Sequence, residues 1–137
     1  MIEYDVIVIG AGVAGFTAGA DLAGKGYKVA VVTTGEPTVC LSTGCIDLCA
    51  GPSAREGLEA LPDEHPLRRL SLADMEAALN GFKKTMDDLA LTYTGGLDVN
   101  RKVLSALGSF KTTCLVPDTM AASPQTNDEA IHIVTFE

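Results

Sequence analysis

The fold is decided by the N-terminal stretch Asp5-Val6-Ile7-Val8-Ile9, which continues directly into Gly10-Ala11-Gly12-Val13-Ala14-Gly15. The β-branched run predicts a short buried strand, and the residues that follow predict a helix. Glycines in the pattern Gly-x-Gly-x-x-Gly between a strand and a helix indicate a dinucleotide-binding βαβ unit. A membrane-spanning or signal segment over residues 6–24 is disfavoured, because the span holds five glycines and lacks a basic leading region.

Each glycine of this pattern has a predicted task. Gly10 allows the tight turn from strand to helix, Gly12 lets the backbone approach a pyrophosphate, and Gly15 lets the helix pack closely on the strand. The first-turn N–H groups and the positive end of the helix dipole then point at the phosphates. The predicted pyrophosphate-binding residues are Gly10, Ala11, Gly12, Val13, Ala14 and Gly15.

A second apolar run, residues 27–33, predicts a parallel strand that is covered on both faces. It follows a predicted helix from about residue 13 to residue 25 that stops at Gly26. Such a strand usually ends in Asp or Glu, whose carboxylate accepts hydrogen bonds from the adenosine ribose. Thr33 and Thr34 stand there instead, so the candidate ribose contacts are hydroxyls, which cannot act as bidentate anionic acceptors. No Arg or Lys occurs between Lys28 and Arg55, which argues against NADP.

Three cysteines, Cys40, Cys45 and Cys49, fall within ten residues after the second strand. Cys40 and Cys45 have the Cys-x4-Cys spacing of the flavin disulfide reductases and are a candidate redox pair, although their flanking residues differ from that family. An iron–sulfur site needs a fourth thiolate, and Cys114 is distant in sequence. No cysteine pair has the spacing typical of zinc, so no metal site is predicted. The other interpretation is that these small thiols only pack beneath a flavin-contacting loop.

The rest of the chain predicts helices followed by strands. A helix begins at Ser71, which Asp74 supports as a capping partner, and ends at Gly95-Gly96. Strands are predicted over residues 112–116 and 130–136, with a loop over residues 117–128 between them. The predicted apolar face of the helix consists of Leu72, Met75, Leu79, Phe82, Met86 and Leu89.

These segments predict one α/β domain over residues 1–137, a Rossmann-like FAD/NAD(P)-binding βαβ domain that is incomplete and carries a helical and β-strand excursion. Its predicted parts are a βαβ core (3–34), a cysteine loop (35–53), a helical segment (54–94) and a strand-rich end (110–137). With 137 residues the chain is short for a complete flavoprotein domain, so we expect the N-terminal part of a longer protein or one subunit of a split one.

Net charge and targeting signals limit which partners and which cellular compartment we expect. The net charge of −8 argues against nucleic acid as a partner, since no basic patch could neutralise its phosphates. No targeting segment is recognised, which predicts a cytoplasmic chain with reduced cysteines and no direct membrane insertion.

Taken together, the segments resemble the B subunit of anaerobic glycerol-3-phosphate dehydrogenase, over nearly the whole chain but only the N-terminal third of that family's length. The strand that ends in Thr rather than an acid is shared with this family. The resemblance rests on Asp5-Val6-Ile7-Val8-Ile9-Gly10-Ala11-Gly12, Ala30-Val31-Val32-Thr33, Ser42-Thr43-Gly44-Cys45-Ile46-Asp47-Leu48, and Gly57-Leu58-Glu59-Ala60-Leu61 followed by Glu64-His65-Pro66.

The resemblance implies a flavin-bearing oxidoreductase component, with FAD favoured over FMN, that oxidises glycerol 3-phosphate to dihydroxyacetone phosphate. It implies a catalytic A subunit and an iron–sulfur C subunit as partners, the latter passing electrons to membrane quinone. It also implies a peripheral position at the inner membrane through a partner subunit. Ser42, Thr43 and Gly44 become candidate cofactor-binding residues. The family does not require cysteine at positions 40, 45 and 49, and catalytic residues stay unassigned. Two alternatives remain: a flavin-dependent dithiol/disulfide oxidoreductase fragment that uses Cys40 and Cys45, and a non-catalytic assembly fragment.

Overall fold

The computed structural model describes residues 2–105, 107–121 and 134–135. The chain divides into two compact units, Met1–Thr43 and Gly44–Glu137. The first unit contains strand β1 (Val6–Ile9), helix α1 (Val13–Gly24), strand β2 (Val29–Val32) and a short 3₁₀ turn (Thr38–Leu41). β1 and β2 pair in parallel, with Val6 opposite Val29 and Ile9 opposite Val32. The predicted βαβ unit is therefore confirmed.

The ends of α1 and β2 follow from local chemistry. Gly26 has a φ of 91°, and its N–H donates to the Ala23 carbonyl at 2.9 Å, a left-handed closure that favours glycine. The Asp5 carboxylate accepts a hydrogen bond of 2.7 Å from the Lys28 N–H, just before β2. The helix ends one residue before the predicted position. The second strand is shorter than the predicted residues 27–33.

Helix α1 covers one face of the β1–β2 sheet. Gly19 is buried there, and a Cβ built on it would lie 3.3 Å from Cγ2 of Val31. Ile7 and Ile9, which alternate with the helix-facing residues, are 62% and 89% exposed, and Val32 is 50% exposed. The expectation that both faces of the second strand are covered is thus wrong for the described residues, because the first unit supplies a single α-helix.

In its described residues, the second unit combines three α-helices with four short strands. Strands β3 and β6 pair antiparallel, as do β4 and β5, and Ile46 forms a bridge with Leu115. None of the helices in residues 2–105 and 107–121 is long and apolar enough to span a bilayer. The elements are α2 (Ala54–Glu59), a 3₁₀ turn (Pro66–Arg69), α3 (Leu72–Asp88), β3 (Tyr93–Gly95), β4 (Arg101–Leu104), β5 (Phe110–Thr113), β6 (Leu115–Pro117) and α4 (Asp118–Ala121).

The core of the second unit is built on α2, α3 and β6. Most of the predicted apolar face of α3 packs on this core, but Leu89 is 62% exposed because the helix ends just before it. The Phe82 ring meets the Tyr93 ring edge-on, with 5.2 Å between centroids. The buried residues of the cluster are Ala54, Leu58, Met75, Leu97, Cys114 and Leu115, and Leu72, Leu79 and Phe82 pack against it.

Side chains cap both longer helices of this unit. Oγ of Ser71 accepts a hydrogen bond from the Asp74 N–H at 3.0 Å and donates to the Asp74 carboxylate at 2.6 Å, which confirms the predicted capping pair. Ser53 and Glu56 make the same arrangement at the start of α2.

The predicted end of α3 at Gly95-Gly96 is wrong. The helix ends at Asp88, where the Leu91 N–H donates back to the Met86 carbonyl and Ala90 adopts a φ of 58°. Gly95 instead closes strand β3 with a φ of 120°, and a Cβ there would overlap the Cys114 carbonyl oxygen.

The strand-rich end also differs from its prediction. The predicted strand over residues 112–116 is two strands, because the backbone at Cys114 changes partner: its N–H donates to Ile46 and its carbonyl accepts from Gly96. The predicted loop over residues 117–128 contains helix α4, and its later residues lie outside the described part. The predicted strand 130–136 also lies outside it, except for Val134 and Thr135, which are not in a strand.

Candidate functional site

The glycine-rich turn leads from the carboxyl end of β1 into α1 and lies beside the carboxyl end of β2. Gly10 has a φ of 108°, which side-chain-bearing residues rarely adopt, and its N–H donates to the Val32 carbonyl at 2.8 Å. Ala11 is buried. In open α/β sheets, ligands bind in the crevice outside the carboxyl ends of the strands, so the turn is correctly placed for a cofactor.

Gly15 fixes the distance between α1 and β1. A Cβ built on Gly15 would overlap the Gly10 carbonyl oxygen and would lie 3.5 Å from Cγ1 of Val8. This agrees with the packing task predicted for Gly15. The N-terminus of α1 is thereby held directly over the turn.

The first turn of α1 lacks the side chains that usually satisfy a helix N-terminus. Its N-cap is Gly12, no side chain in the described part of the chain caps it, and no acidic residue lies in the first turn. Helices α2 and α3 both have a capping serine and an acidic residue in the first turn. The first N–H groups of any helix have no partner within the helix, and the helix dipole favours negative charge there. The first turn of α1 therefore fits a bound diphosphate.

The residues after β2 carry hydroxyls rather than a carboxylate. Oγ1 of Thr33 donates to the Gly35 carbonyl at 3.4 Å, so its oxygen lone pairs are directed elsewhere, and Thr33 and Thr34 are both exposed. A hydroxyl that donates its proton internally is an uncharged hydrogen-bond acceptor for a ribose. Contact of Thr33 and Thr34 with a ribose stays a prediction.

The Ser42-Thr43-Gly44 stretch spans the boundary of the two units, with Gly44 in the second. Ser42 ends the 3₁₀ turn through a 3.1 Å hydrogen bond from its N–H to the Val39 carbonyl. Gly44 has a φ of 83°, and a Cβ there would lie 3.3 Å from the Tyr93 hydroxyl. Burial raises the pKa of Tyr93, and Cys45 adds to the shift. Cofactor contact by Ser42, Thr43 and Gly44 stays a prediction.

The cysteines occupy different environments. Cys40 is exposed in the 3₁₀ turn, Cys45 and Cys49 are partly buried, and Cys114 is fully buried. The Cys114 thiol donates to the Gly96 carbonyl at 3.3 Å, and burial, with a smaller effect of Asp47, raises its pKa to about 11. A thiol that stays protonated is a poor nucleophile, so Cys114 is a packing residue.

The environments of Cys40 and Cys45 do not test the prediction that these two residues form a redox pair. The described part of the chain contains no disulfide bond. The role of Cys40 and Cys45 as a dithiol stays a prediction. The Cys49 carbonyl accepts a 2.9 Å hydrogen bond from Nδ2 of Asn100, and Cys49 also packs against Gly57 of α2, where an added Cβ would overlap the Cβ of Cys49. Among the described residues, no group of three or more His, Cys, Asp or Glu could hold a metal ion.

Two residues gain a local role that the sequence did not reveal. Nδ1 of His65 accepts a 3.2 Å hydrogen bond from the Leu67 N–H and caps the Pro66–Arg69 turn. Thr38 lies against the glycine-rich turn, since a Cβ on Gly12 would be 2.9 Å from its Oγ1. The only available sequence signal for Thr38 was a hydroxyl in the connection that leaves the carboxyl end of β2.

Comparison with known proteins identifies the family to which this site belongs. The chain matches the family model described as an FAD binding domain over residues 5–136. It belongs to the FAD-binding domain family. The match supports a Rossmann-like α/β fold and indicates FAD as the cofactor, as the sequence predicted.

Curated relatives confirm the predicted resemblance to the B subunit of anaerobic glycerol-3-phosphate dehydrogenase. The chain is 30% identical over 126 residues to this protein of Pectobacterium carotovorum subsp. carotovorum, covering 85% of the chain and 30% of the relative. The identity is 29% over 129 residues in Mannheimia succiniciproducens (87% and 30%), and 31% over 125 residues in Aliivibrio fischeri (83% and 28%). The chain thus spans less than a third of the length of these relatives. No solved structure matches it.

Proposed function

We propose that the chain is the FAD-binding part of an oxidoreductase that converts glycerol 3-phosphate to dihydroxyacetone phosphate. The observation that carries the proposal is the uncapped, glycine-rich start of α1 at the carboxyl ends of two parallel strands. The FAD-binding domain match and the names of the curated relatives support it.

The described residues are proposed to bind the cofactor, and none of them is assigned a catalytic role. Oxidation of a secondary alcohol to a ketone releases two electrons and two protons, and FAD, when bound, supplies the electron acceptor. The turn from Gly10 to Gly15 would hold the pyrophosphate through backbone N–H groups. Thr33 and Thr34 would meet the adenosine ribose with uncharged hydroxyls.

The partners belong to the same proposal. The relatives are named as subunits, which supports a complex of several chains. We infer that a catalytic A subunit delivers electrons or substrate and that an iron–sulfur C subunit passes electrons to quinone. On this proposal the chain is cytoplasmic, and it meets the inner membrane only through its partner.

The experiment is anaerobic reduction of the FAD-loaded chain in the presence of its cognate catalytic and iron–sulfur partners. Glycerol 3-phosphate should bleach the flavin absorbance, and glycerol, which lacks the phosphate, is the matched control. A chain that binds FAD but is not bleached by glycerol 3-phosphate would contradict the substrate assignment. A colourless chain that takes up no added FAD would favour the assembly-fragment alternative.

A further inference from the structure

The side chain of Thr38 stands at the point where α1 begins. A Cβ built on Gly12 would lie 2.9 Å from Oγ1 of Thr38, closer than real Cβ atoms approach other atoms. Both residues belong to the first unit. Thr38 opens the 3₁₀ turn Thr38–Leu41 directly after Pro37, which fixes the backbone on its N-terminal side. The missing side chain of Gly12 therefore makes room for a hydroxyl of the same unit, as well as for a ligand.

The chemistry at this point suits a hydroxyl donor. Gly12 is the glycine at which the backbone of a dinucleotide-binding turn comes closest to the pyrophosphate. None of the described side chains caps the first turn of α1, and this turn contains no acidic residue whose carboxylate would repel an anion. A hydroxyl can donate to an anionic phosphate oxygen, and such charge-assisted hydrogen bonds are shorter and stronger than neutral ones.

We propose that Thr38 is a cofactor-binding residue whose hydroxyl donates a hydrogen bond to the pyrophosphate of FAD. This inference rests on the proposed function, because it needs FAD at the glycine-rich turn. It adds to backbone N–H binding a side-chain contact from the connection after β2. It also gives Gly12 two tasks, to admit the pyrophosphate and to admit Thr38.

The test compares the affinities of the full chain and its variants for FAD and for riboflavin, followed by quenching of flavin fluorescence. Thr38→Val keeps the shape of the side chain and removes the donor, so FAD binding should weaken roughly tenfold, the loss expected for a hydrogen bond to a charged group. Thr38→Ser should retain most of the affinity. Riboflavin has no phosphate, so its weaker binding should be the same in parent and Thr38→Val. Thr85→Val is the matched control, because the exposed Thr85 hydroxyl donates within α3, to the Gly81 carbonyl.

The outcomes separate this inference from the proposed function. A parent chain that takes up no FAD would contradict both. A parent that binds FAD, together with a Thr38→Val variant that binds it equally well, would overturn only the role of Thr38. Equal weakening of FAD and riboflavin by Thr38→Val would also overturn it, because the effect would then not depend on phosphate.

A second comparison tests whether Gly12 is needed only to make room for the Thr38 side chain or also to admit the pyrophosphate. Gly12→Ala places a methyl group against Thr38, so it should weaken FAD binding in the parent background. If Gly12 serves only to accommodate Thr38, then Gly12→Ala combined with Thr38→Ala would bind FAD like Thr38→Ala alone. We expect a further loss in the double variant, because Gly12 also admits the pyrophosphate. Recovery to the Thr38→Ala affinity would overturn the dual task of Gly12.

Discussion

Gly15 of helix α1 lies directly against the Gly10 carbonyl group, so that a Cβ on Gly15 would overlap the carbonyl oxygen. Backbone on both sides of this contact leaves nothing flexible to move away. Gly15→Ala should therefore push α1 off β1 and destabilise the first unit by about 1–3 kcal/mol, the usual cost of overpacking. Thermal unfolding followed by circular dichroism measures the change.

The matched control for that prediction lies in the same helix. A Cβ on Gly24 would meet no described residue within 4 Å, and Gly24 is the last residue of α1. Gly24→Ala should leave stability unchanged or raise it by up to about 1 kcal/mol, because Ala loses less backbone entropy than Gly in a helix. Equal destabilisation by Gly15→Ala and Gly24→Ala would contradict the packing role of Gly15.

A second prediction concerns the pyrophosphate. Gly12→Val puts a branched side chain where the diphosphate is proposed to bind, so FAD binding should be lost while the helical circular dichroism signal is kept. Among the described residues, the Cβ of this side chain would come within 4 Å of the Thr38 hydroxyl alone, and Thr38 is exposed and can rotate away. Gly24→Val is the control and should bind FAD like the parent. FAD affinity unchanged in Gly12→Val would show that the phosphate site is elsewhere.

A third prediction concerns Cys114 and pH. Burial raises the pKa of this thiol from 9.0 to about 11, so the folded chain keeps its proton where the unfolded chain loses it. The stability contributed by the neutral thiol is fully present below pH 9 and is lost as the pH rises to about 11. The loss should be on the order of 2 kcal/mol.

Urea unfolding below pH 9 and at about pH 11 tests this prediction. Other groups titrate in the same range, so the comparison is between the parent and Cys114→Ala. The alanine variant should be less stable overall but should lose less stability at alkaline pH. Cys40→Ser, which alters an exposed thiol, should follow the parent. An identical alkaline loss in parent and Cys114→Ala would contradict the prediction.

A fourth prediction concerns Cys40 and Cys45. If they form a working dithiol, reductive titration of the FAD-loaded chain should consume two electrons beyond those taken by the flavin, and Cys45→Ser should abolish the excess. Cys49→Ser is the control and should keep it. Equal electron uptake by the parent and Cys45→Ser would leave the cysteines as packing residues.

The sequence predicts the first unit well because its signals are local. The apolar runs set β1 and β2, and Gly26 ends α1 through its left-handed conformation. The Ser71–Asp74 pair marks the start of α3 for the same reason, since the capping partners are three residues apart. In each case the residues that determine the element are neighbours in the chain.

The predictions that were wrong, and the residue that was missed, depend on contacts between residues that are distant in sequence. The Gly95-Gly96 pair is typical of a helix end, but Gly95 is glycine because the Cys114 backbone approaches it across the sheet. The break at Cys114 depends on Ile46, and the place of Thr38 depends on Gly12. Patterns of periodicity and spacing along the sequence do not reveal these long-range contacts. A proposed site residue such as Thr38 could therefore not be predicted.

We propose that this chain binds FAD at the start of α1, and titration of the purified full chain with FAD tests this most directly. We expect saturable one-to-one uptake of FAD with quenched flavin fluorescence. ADP, which carries the same diphosphate and adenosine, should compete with FAD. Gly12→Val should abolish both the uptake of FAD and the competition by ADP. A parent chain that takes up no FAD, or that binds it equally well after Gly12→Val, would contradict the claim.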